Sequence, residues 1–272
     1  MLGRLERAFL GQRALLDDVG HELRTPLTII RGHLEIMDTA DPQEVAETRD
    51  LALDELDRMG RLVDELVLLA KSERPDFLTV RRIRLDDVVE GVSERARALA
   101  DRRWRIDALP AAEVTADHQR LTQALLQLVS NAVRHTDPDD EIAVGAARDG
   151  AVVRLWIRDT GAGIPVADQE RIFDRFERGS GVRDRGPGGH GSGLGLSIVS
   201  AIAAAHGGRV TVTSMPGAGS TFVLELPASG PGRAERSDIV VGRSSPSHPS
   251  TASTTPSATV PAGDARAGGS RR

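Results

Sequence analysis

Cysteine and tyrosine are both absent from this sequence of 272 residues. Without cysteine the chain has no disulfides, no thiolate zinc sites and no cysteine nucleophile. Aromatic residues make up only 3% of the chain, so base-stacking surfaces for nucleic acid are not expected. The formal net charge of −5 also argues against a general attraction to nucleic acid. These absences exclude several common classes of function.

Long apolar runs are also missing. No stretch approaches the roughly 20 uninterrupted apolar residues that a membrane helix needs. Four charged residues interrupt the N-terminal apolar positions, namely Arg4, Glu6, Arg7 and Arg13, so this segment is not a signal peptide. A chain without cysteine is compatible with a reducing compartment. We therefore expect a cytoplasmic chain, associated with a membrane only through a partner or through a further N-terminal region.

Two heptad patterns predict two long helices near the N-terminus, the first over residues 4–38. Its apolar stripe consists of Val19, Leu23, Leu27, Ile30, Leu34 and Met37. Turn signals in residues 39–43 separate it from a second stripe of Ala52, Leu56, Met59, Val63, Leu66 and Ala70. Helices joined by so short a loop form a hairpin. Since a hairpin cannot bury both stripes by itself, we expect two copies to form a dimeric four-helix bundle. The alternative is a hairpin packed on the rest of its own chain.

A mixed α/β pattern follows the predicted hairpin. Helical patterns occur in LDDVVEGVSERARALA, DHQRLTQALLQLVSNAVRH and LSIVSAIAAAHGG. Asp117 is a candidate N-cap, and Gly207 or Gly208 is a candidate C-cap. Strand patterns occur in EIAVGAA, AVVRLWIRD, RVTVTS and STFVLELP, of which the first two predict a β-hairpin. This order predicts an α/β sandwich, with helices on one face of a mostly antiparallel sheet. Residues 228–272 are rich in Ser, Thr, Pro, Ala and Gly and are predicted to be a disordered tail.

Two glycine-rich clusters stand at the ends of predicted elements. DTGAGIP, residues 159–165, follows a strand, and GSGLGLSI, residues 191–198, runs into a helix. Glycine allows close approach of a ligand to the backbone, and free amides at a helix N-terminus suit phosphate. Neither cluster matches the dinucleotide fingerprint or the P-loop. Glycine-rich loops are common, so each cluster alone is only weak support for nucleotide binding.

Six segments resemble, in order and spacing, the sequence boxes of sensor histidine kinases. They are HELRTPLT (H-box), LLQLVSNAVRHT (N-box), DTGAGIP (G1), RIFDRFER (F-box), GSGLGLSI (G2) and GAGSTF (the final Gly-Thr turn). The resemblance covers residues 5–227. It implies a dimerisation and histidine phosphoacceptor domain in residues 1–74. It further implies an ATP-binding α/β sandwich in residues 75–227, of the Bergerat or GHKL type shared with gyrase-like and Hsp90-like ATPases.

The implied reaction transfers the γ-phosphate of ATP to His21 and then to an aspartate in the receiver domain of a response regulator. A neutral imidazole offers a nitrogen lone pair near pH 7. At about 100° per residue, His21 lies roughly 160–200° from Val19 and Leu23 around the helix, so it points out of the core. Glu22 would orient His21 or take its proton. Thr25, one turn later, would position water for dephosphorylating the regulator, and Pro26 is expected to bend the helix.

The resemblance also implies an ATP site with Mg²⁺. Asn131 would bind the metal through its amide oxygen, and Gln127, which stands where the family usually has asparagine, would be a second, longer metal ligand. Arg134 would meet a phosphate, His135 would line the pocket, and Asp159 would accept a hydrogen bond from the adenine amino group. The remaining implied nucleotide contacts are Gly161, Gly163, Arg178, Gly191, Gly193, Leu194, Gly195, Leu196 and Thr221.

Alternatives remain at this stage. His21 and Glu22 also fit ordinary helix-surface positions. The longer side chain of Gln127 and the lack of a recognisable sensor motivate a kinase-silent dimeric scaffold or phosphatase that binds a regulator. A related ATPase or serine kinase is a third possibility, weakened by the H-box. The other histidines are interpreted as surface or loop residues, namely His33, His118, His190, His206 and His248.

Overall fold

The computed structural model describes residues 2–177 and 192–231. It begins with a pair of long helices, α1 (Leu2–Ile36) and α2 (Pro42–Ser72). The start of α2 follows from its sequence. The Asp41 carboxylate accepts hydrogen bonds from the amides of Gln43 and Glu44, and proline is well suited to the first helical position. The predicted helical hairpin is confirmed, and α1 continues through Pro26 without interruption.

The second part of the chain contains the α/β elements. In chain order they are β1 (Arg81–Arg84), α3 (Leu85–Leu99), β2 (Arg103–Ala108), β3 (Glu113–Ala116), α4 (His118–Arg134), β4 (Glu141–Asp149), β5 (Val152–Asp159), a 3₁₀ turn (Arg171–Phe173), α5 (Gly195–Ala205), β6 (Arg209–Ser214) and β7 (Ser220–Pro227). A five-stranded sheet has the order β2-β4-β5-β7-β6. Only its β2–β4 pair is parallel. The short strands β1 and β3 form a separate antiparallel pair.

The predicted α/β sandwich is confirmed. Asp117 caps α4 as expected, since its carboxylate accepts from the amide of Arg120. Helix α5 ends at Ala205, and its C-cap residue is His206, which is followed by Gly207 with a φ of 77°. The strands β1, β2 and β3 were not predicted from the sequence.

Alternation along the central strands determines which side chains reach the core. In β5 the residues Val153, Leu155 and Ile157 are buried, and the intervening residues are not. Asp159 continues the buried series at the strand end. In the paired strand β7, Ser220 lies opposite Asp159 and begins the corresponding buried series. The sheet therefore brings two polar residues to the edge of an apolar core.

The hairpin packs on the sandwich through one side of α2. Leu62 and Leu69 are buried and belong to the same apolar core as the sandwich residues. In contrast, Leu27 and Leu56, which belong to the predicted stripes, are 58% and 53% exposed in the single chain. Part of the hairpin thus packs on its own chain, while much of the predicted apolar stripe is uncovered. Among the described residues, no helix is long and apolar enough to cross a membrane.

Candidate functional site

A cavity of about 1130 Å³ lies between the hairpin and the face of the sandwich that carries α4. It brings together many residues that the sequence placed at the ATP site. These are Gln127, Asn131, Arg134, His135, Asp159, Gly163, Gly193, Gly195 and Leu196. Two helices, one strand end, the turn after β5 and the turn before α5 supply them, so the cavity is assembled by the tertiary fold. Its volume is sufficient for a nucleotide, since small-ligand sites usually measure about 300–1,000 Å³.

Asp159 is the buried acid of the cavity, with 5% of its surface exposed. Its Oδ1 atom accepts hydrogen bonds from the amides of Gly161, at 3.0 Å, and Ser220, at 3.3 Å. Burial raises the pKa of the Asp159 carboxyl, and the two amides oppose that shift. Among the described residues, no donor is bound to Oδ2. This oxygen is therefore the one that can accept a hydrogen bond from a ligand.

The glycines of the 159–165 turn are required by protein packing. A Cβ on Gly161 would lie 2.2 Å from the carbonyl oxygen of His135, and one on Gly163 would lie 2.0 Å from that of Met215. Gly163 also has a φ of 69°, which L-residues with side chains rarely adopt. The amide of Ala162 donates to the His135 carbonyl at 3.3 Å. The turn after β5 is thereby held against the end of α4.

The turn before α5 is held against the segment after the 3₁₀ turn. The amide of Phe176, which has a φ of 60°, donates to the carbonyl of Gly193 at 3.0 Å. A Cβ on Gly193 would lie 2.7 Å from the Cα of Phe176. The side chain of Leu194 is fully buried in the core. Leu194 therefore anchors the turn through packing, while Gly193, Gly195 and Leu196 border the cavity.

Polar groups of α4 line the cavity at helical spacing. Asn131, Arg134 and His135 occupy the last turn and the C-cap of this helix. Desolvation by neighbouring protein atoms lowers the pKa of the Arg134 guanidinium, although the residue as a whole is exposed. The negative charge of Glu65 in α2 opposes that shift. The amide Nε2 of Gln127 donates to Glu65 Oε1 at 3.2 Å. Gln127 thus contacts the hairpin, which its sequence position did not indicate.

His21 is exposed on α1, as predicted. It borders a separate groove of about 660 Å³, together with Thr25 and His33, and it does not line the cavity described above. Glu22, the next residue, does line that cavity. The hydroxyl of Thr25 donates to the backbone carbonyl of His21 at 3.3 Å. The imidazole and the candidate nucleotide cavity therefore lie on different sides of α1 in this conformation.

Thr221 does not line the cavity, although the resemblance assigned it to the adenine end. Strand alternation directs Ser220 toward the cavity and Thr221 to the other face of the sheet. Its pairing partner Arg158 lies on the same face, where both residues are half-buried. Arg178 and Gly191 lie outside the described residues.

Several cavity residues were not predicted from the sequence, and Glu65, Ser192 and Ser220 are among them. Ser220 is two residues before the buried Phe222, so the two side chains lie on the same face of β7. This alternation would have identified Ser220. Ser192 lies within the second glycine-rich cluster and accepts from the amide of Leu194 at 3.1 Å. No local pattern marks Glu65.

The interpretation of His206 as a surface or loop residue is wrong, because it is only 1% exposed. Its ring is inserted beside the start of α4, where Nε2 accepts from the amide of Asp117 at 3.1 Å. Among the other histidines, His33 is exposed and His118 borders the large cavity. His190 and His248 lie outside the described residues.

Two family models match the chain. Residues 12–75 match the His Kinase A (phospho-acceptor) domain. Residues 116–230 match the histidine kinase-, DNA gyrase B- and HSP90-like ATPase model. The first match contains His21, and the second contains all of the α4, β5, α5 and β7 residues that border the cavity.

Individual relatives agree with these matches. The probable sensor histidine kinase TcrY of Mycobacterium tuberculosis is 39% identical over 224 residues, covering 80% of this chain and 46% of TcrY. The histidine kinase ThkA, solved in complex with the response regulator protein TrrA, aligns with a TM-score of 0.65 and 25% identity. This alignment covers 83% of this chain and 64% of that one. Full-length ShkA, solved in complex with AMPPNP, aligns with a TM-score of 0.55 and 30% identity, covering 80% and 46%. The chain spans about half the length of the curated relatives that it matches.

Proposed function

The chain belongs to the two-component sensor histidine kinases, whose transmitter core it carries, and we propose that it phosphorylates itself on His21 with ATP. It then passes the phosphoryl group to an aspartate of a response regulator. The observation that carries this proposal is the pairing of an exposed His21 with a cavity lined by Asp159, Asn131 and Arg134. Few other functions require both an accessible imidazole and a nucleotide-sized cavity in the same chain.

Asp159 fixes the base of the nucleotide in this proposal. Its free Oδ2 accepts a hydrogen bond from the exocyclic amino group of adenine, while the amides of Gly161 and Ser220 hold Oδ1. A base without an amino donor at that position leaves a buried acceptor unsatisfied. That loss costs about 1–3 kcal/mol, so adenine is preferred over guanine.

The phosphates extend from Asp159 toward the last turn of α4 and the turn before α5. Arg134 supplies a positive charge there, and the amides around Gly193 and Gly195 supply donors at the start of α5. A neutral nitrogen of His21 attacks the γ-phosphorus, a nitrogen–phosphorus bond forms, and the bond to the ADP oxygen breaks. Glu22 accepts the proton that the imidazole loses. Since His21 lies outside the cavity, the transfer requires a rearrangement of the hairpin relative to the sandwich, or a His21 from a second copy.

A magnesium ion fits the donor set of the cavity. Among the described residues, no group of three or more His, Cys, Asp or Glu side chains clusters as a metal site. Asn131 lines the cavity and offers an amide oxygen, and Mg²⁺ is usually held by one or two protein oxygens together with substrate phosphates. Bound there, the ion would neutralise phosphate charge. Gln127 remains a proposed second ligand, and its amide nitrogen is bonded to Glu65.

The proposed partners are a second copy of the chain and the receiver domain of a response regulator. The exposed apolar residues of the hairpin, such as Leu27 and Leu56, support pairing into a four-helix bundle. The solved complex of ThkA with TrrA supports a regulator as the phosphoryl acceptor. Thr25, one turn from His21, is proposed to position water for regulator dephosphorylation. This activity would be lost in Thr25→Ala while autophosphorylation is retained.

Labelling with ATP that carries ³²P at the γ position tests the proposal. The parent chain should acquire acid-labile, base-stable label, and His21→Ala should acquire none. His33→Ala is the matched control because His33 borders the same groove on α1 and should leave labelling unchanged. Equal labelling of His21→Ala and parent would exclude His21 as the nucleophile. An unlabelled but folded parent would favour the kinase-silent scaffold instead.

A further inference from the structure

We propose that Glu65 of α2 is an internal competitor of the nucleotide, because its carboxylate occupies the place that the ATP phosphates need. This inference rests on the proposed ATP binding in the cavity. It adds a regulatory contact that joins the hairpin directly to the nucleotide site.

Two hydrogen-bond donors contact the Glu65 carboxylate, as they would contact a bound anion. Its Oε2 atom accepts a hydrogen bond from the hydroxyl of Ser192, and Oε1 accepts from the amide of Gln127 at 3.2 Å. Ser192 also holds the turn before α5 through its bond with the amide of Leu194. The carboxylate is therefore bound by groups from α4 and from the turn before α5. These two elements are the ones that border the phosphate end of the proposed site.

Arg134 contributes through its positive charge alone, since it forms no hydrogen bond or ion pair with Glu65. Desolvation in the cavity lowers the pKa of the Arg134 guanidinium, and the negative charge of Glu65 raises it in opposition. A hydroxyl and an amide thus bind the carboxylate directly, and the positive charge of the guanidinium attracts it. The same set of donors would bind a phosphate oxygen.

The carboxylate and the phosphates cannot share this site. The triphosphate carries several negative charges, and like charges a few ångströms apart in a partly desolvated site repel strongly. Nucleotide binding must therefore displace Glu65, and the Glu65 contact must weaken nucleotide binding. By linkage the effect is reciprocal.

Displacement of Glu65 also affects the hairpin. Leu62 and Leu69 lie one turn on either side of Glu65 and are buried against the sandwich. Glu65 adds the polar part of this interface. Its loss on nucleotide binding weakens the hold of α2 on the sandwich. That change favours the movement needed to bring the phosphates to His21, which borders a separate groove.

Calorimetric titration of Glu65→Gln tests the competition. Glutamine keeps the size and can still accept from Ser192, but it removes the charge. We expect Glu65→Gln to bind AMPPNP with Mg²⁺ between about fivefold and a hundredfold more tightly than the parent chain, the usual range of coupling between sites. Affinity for adenosine, which has no phosphates, should not change. Asp64→Asn is the matched control, because Asp64 is an exposed carboxylate on the same helix and should leave both affinities unchanged.

The possible outcomes separate this inference from the proposed function. If the parent chain binds AMPPNP and Glu65→Gln binds it no more tightly than Asp64→Asn does, the competition is disproved while ATP binding stands. If Glu65→Gln strengthens adenosine as much as AMPPNP, the effect is not on the phosphates, and the inference is also overturned. If neither chain binds AMPPNP, the proposed function itself fails. Glu65→Ala, checked for folding by its melting temperature, repeats the test should glutamine destabilise the interface.

Discussion

The Nε2 atom of His206 accepts a hydrogen bond from the backbone amide of Asp117, with 3.1 Å between the two nitrogens. The other ring nitrogen, Nδ1, lies 2.8 Å from the carbonyl oxygen of Ile202 and donates to it. With Nδ1 as donor and Nε2 as acceptor, the buried ring is neutral. Asp117 is the N-cap of α4, the helix that carries the polar groups of the cavity. His206 thus joins the end of α5 to the beginning of the site helix.

Replacing His206 with alanine should destabilise the fold. The substitution leaves a cavity and removes the acceptor of the Asp117 amide, so we expect a loss of about 2–4 kcal/mol in the free energy of unfolding. Urea denaturation at pH 8 measures this loss. His33→Ala, at an exposed position, should change the free energy by less than about 0.5 kcal/mol. Similar losses for the two variants would show that the buried ring contributes no special stabilisation.

The same histidine makes stability depend on pH. Burial lowers the pKa of His206. Its hydrogen bond to Ile202 and the nearby Asp117 carboxylate raise the pKa, but their effect is smaller. An unfolded histidine has a pKa of about 6.5, so the unfolded chain takes up the proton first as the pH falls. The stabilisation is present above that pH and is lost as the pH falls through the folded pKa. We expect the urea midpoint to fall more steeply between pH 7 and pH 5 in the parent than in His206→Gln. Parallel curves would contradict this assignment.

Replacing Asp159 with asparagine should raise thermal stability and lower nucleotide affinity. Burial raises the pKa of the Asp159 carboxyl, so the ionised form is disfavoured in the folded chain. A carboxyl whose pKa is raised in the folded state favours folding while it is protonated, at low pH. This contribution is lost as the pH rises through the folded pKa. At pH 7 a neutral asparagine should therefore raise the melting temperature by a few degrees. Its Oδ1 can still accept from Gly161 and Ser220.

Nucleotide affinity of this variant should change in the opposite direction. The asparagine amide presents NH₂ where Asp159 presents Oδ2, so a donor faces the adenine amino group. Loss of a hydrogen bond to a charged acceptor costs about 1.5–3 kcal/mol, which corresponds to a decrease in AMPPNP affinity of roughly tenfold to more than a hundredfold. Calorimetry and thermal melting on the same sample check both parts. Asp174→Asn, at an exposed loop position, is the control, and it should leave AMPPNP affinity unchanged.

Gly161→Ala should damage the nucleotide site through its supporting backbone. The new Cβ would lie 2.2 Å from the carbonyl oxygen of His135, so the turn after β5 must move away from the end of α4. That movement also displaces Asp159, and we expect a decrease in AMPPNP affinity of at least about tenfold. Gly60→Ala is a suitable control because a Cβ at that position in α2 meets no atom within 4 Å. Its affinity should match that of the parent.

The helices and the inner strands were predictable because their periodicity is strong. The heptad stripes, the Asp117 cap and the alternation in β5 each depend on residues close in sequence. The missed strands lack this signal. Only Ile83 is buried in β1, and the edge strand β2 alternates between exposed and half-buried side chains. Such strands are determined by their pairing with β3 and β4.

The site shows the same division between local and tertiary information. Asp159 was found because a glycine turn follows a strand. On β7 the resemblance assigned Thr221 to the site, whereas the neighbouring Ser220 borders the cavity. The register of a strand in the sheet determines which of its two faces meets the cavity. Glu65 meets Gln127 across 62 residues and Ser192 across 127. That contact depends on how the hairpin packs on the sandwich, which no local pattern encodes.

The uncovered stripe of the hairpin should decide whether the chain dimerises. Leu27 and Leu56 belong to the two predicted stripes and are 58% and 53% exposed, so a second copy that covers them would gain about 1.5–3 kcal/mol for each leucine. An arginine in either position would place an unpaired charge in that interface. We expect Leu27→Arg and Leu56→Arg to elute as monomers in size-exclusion chromatography with light scattering, where the parent elutes as a dimer. The control is Val166→Arg, a 76% exposed position on the sandwich, which should remain dimeric. A parent that is itself monomeric at micromolar concentration would disprove the four-helix bundle.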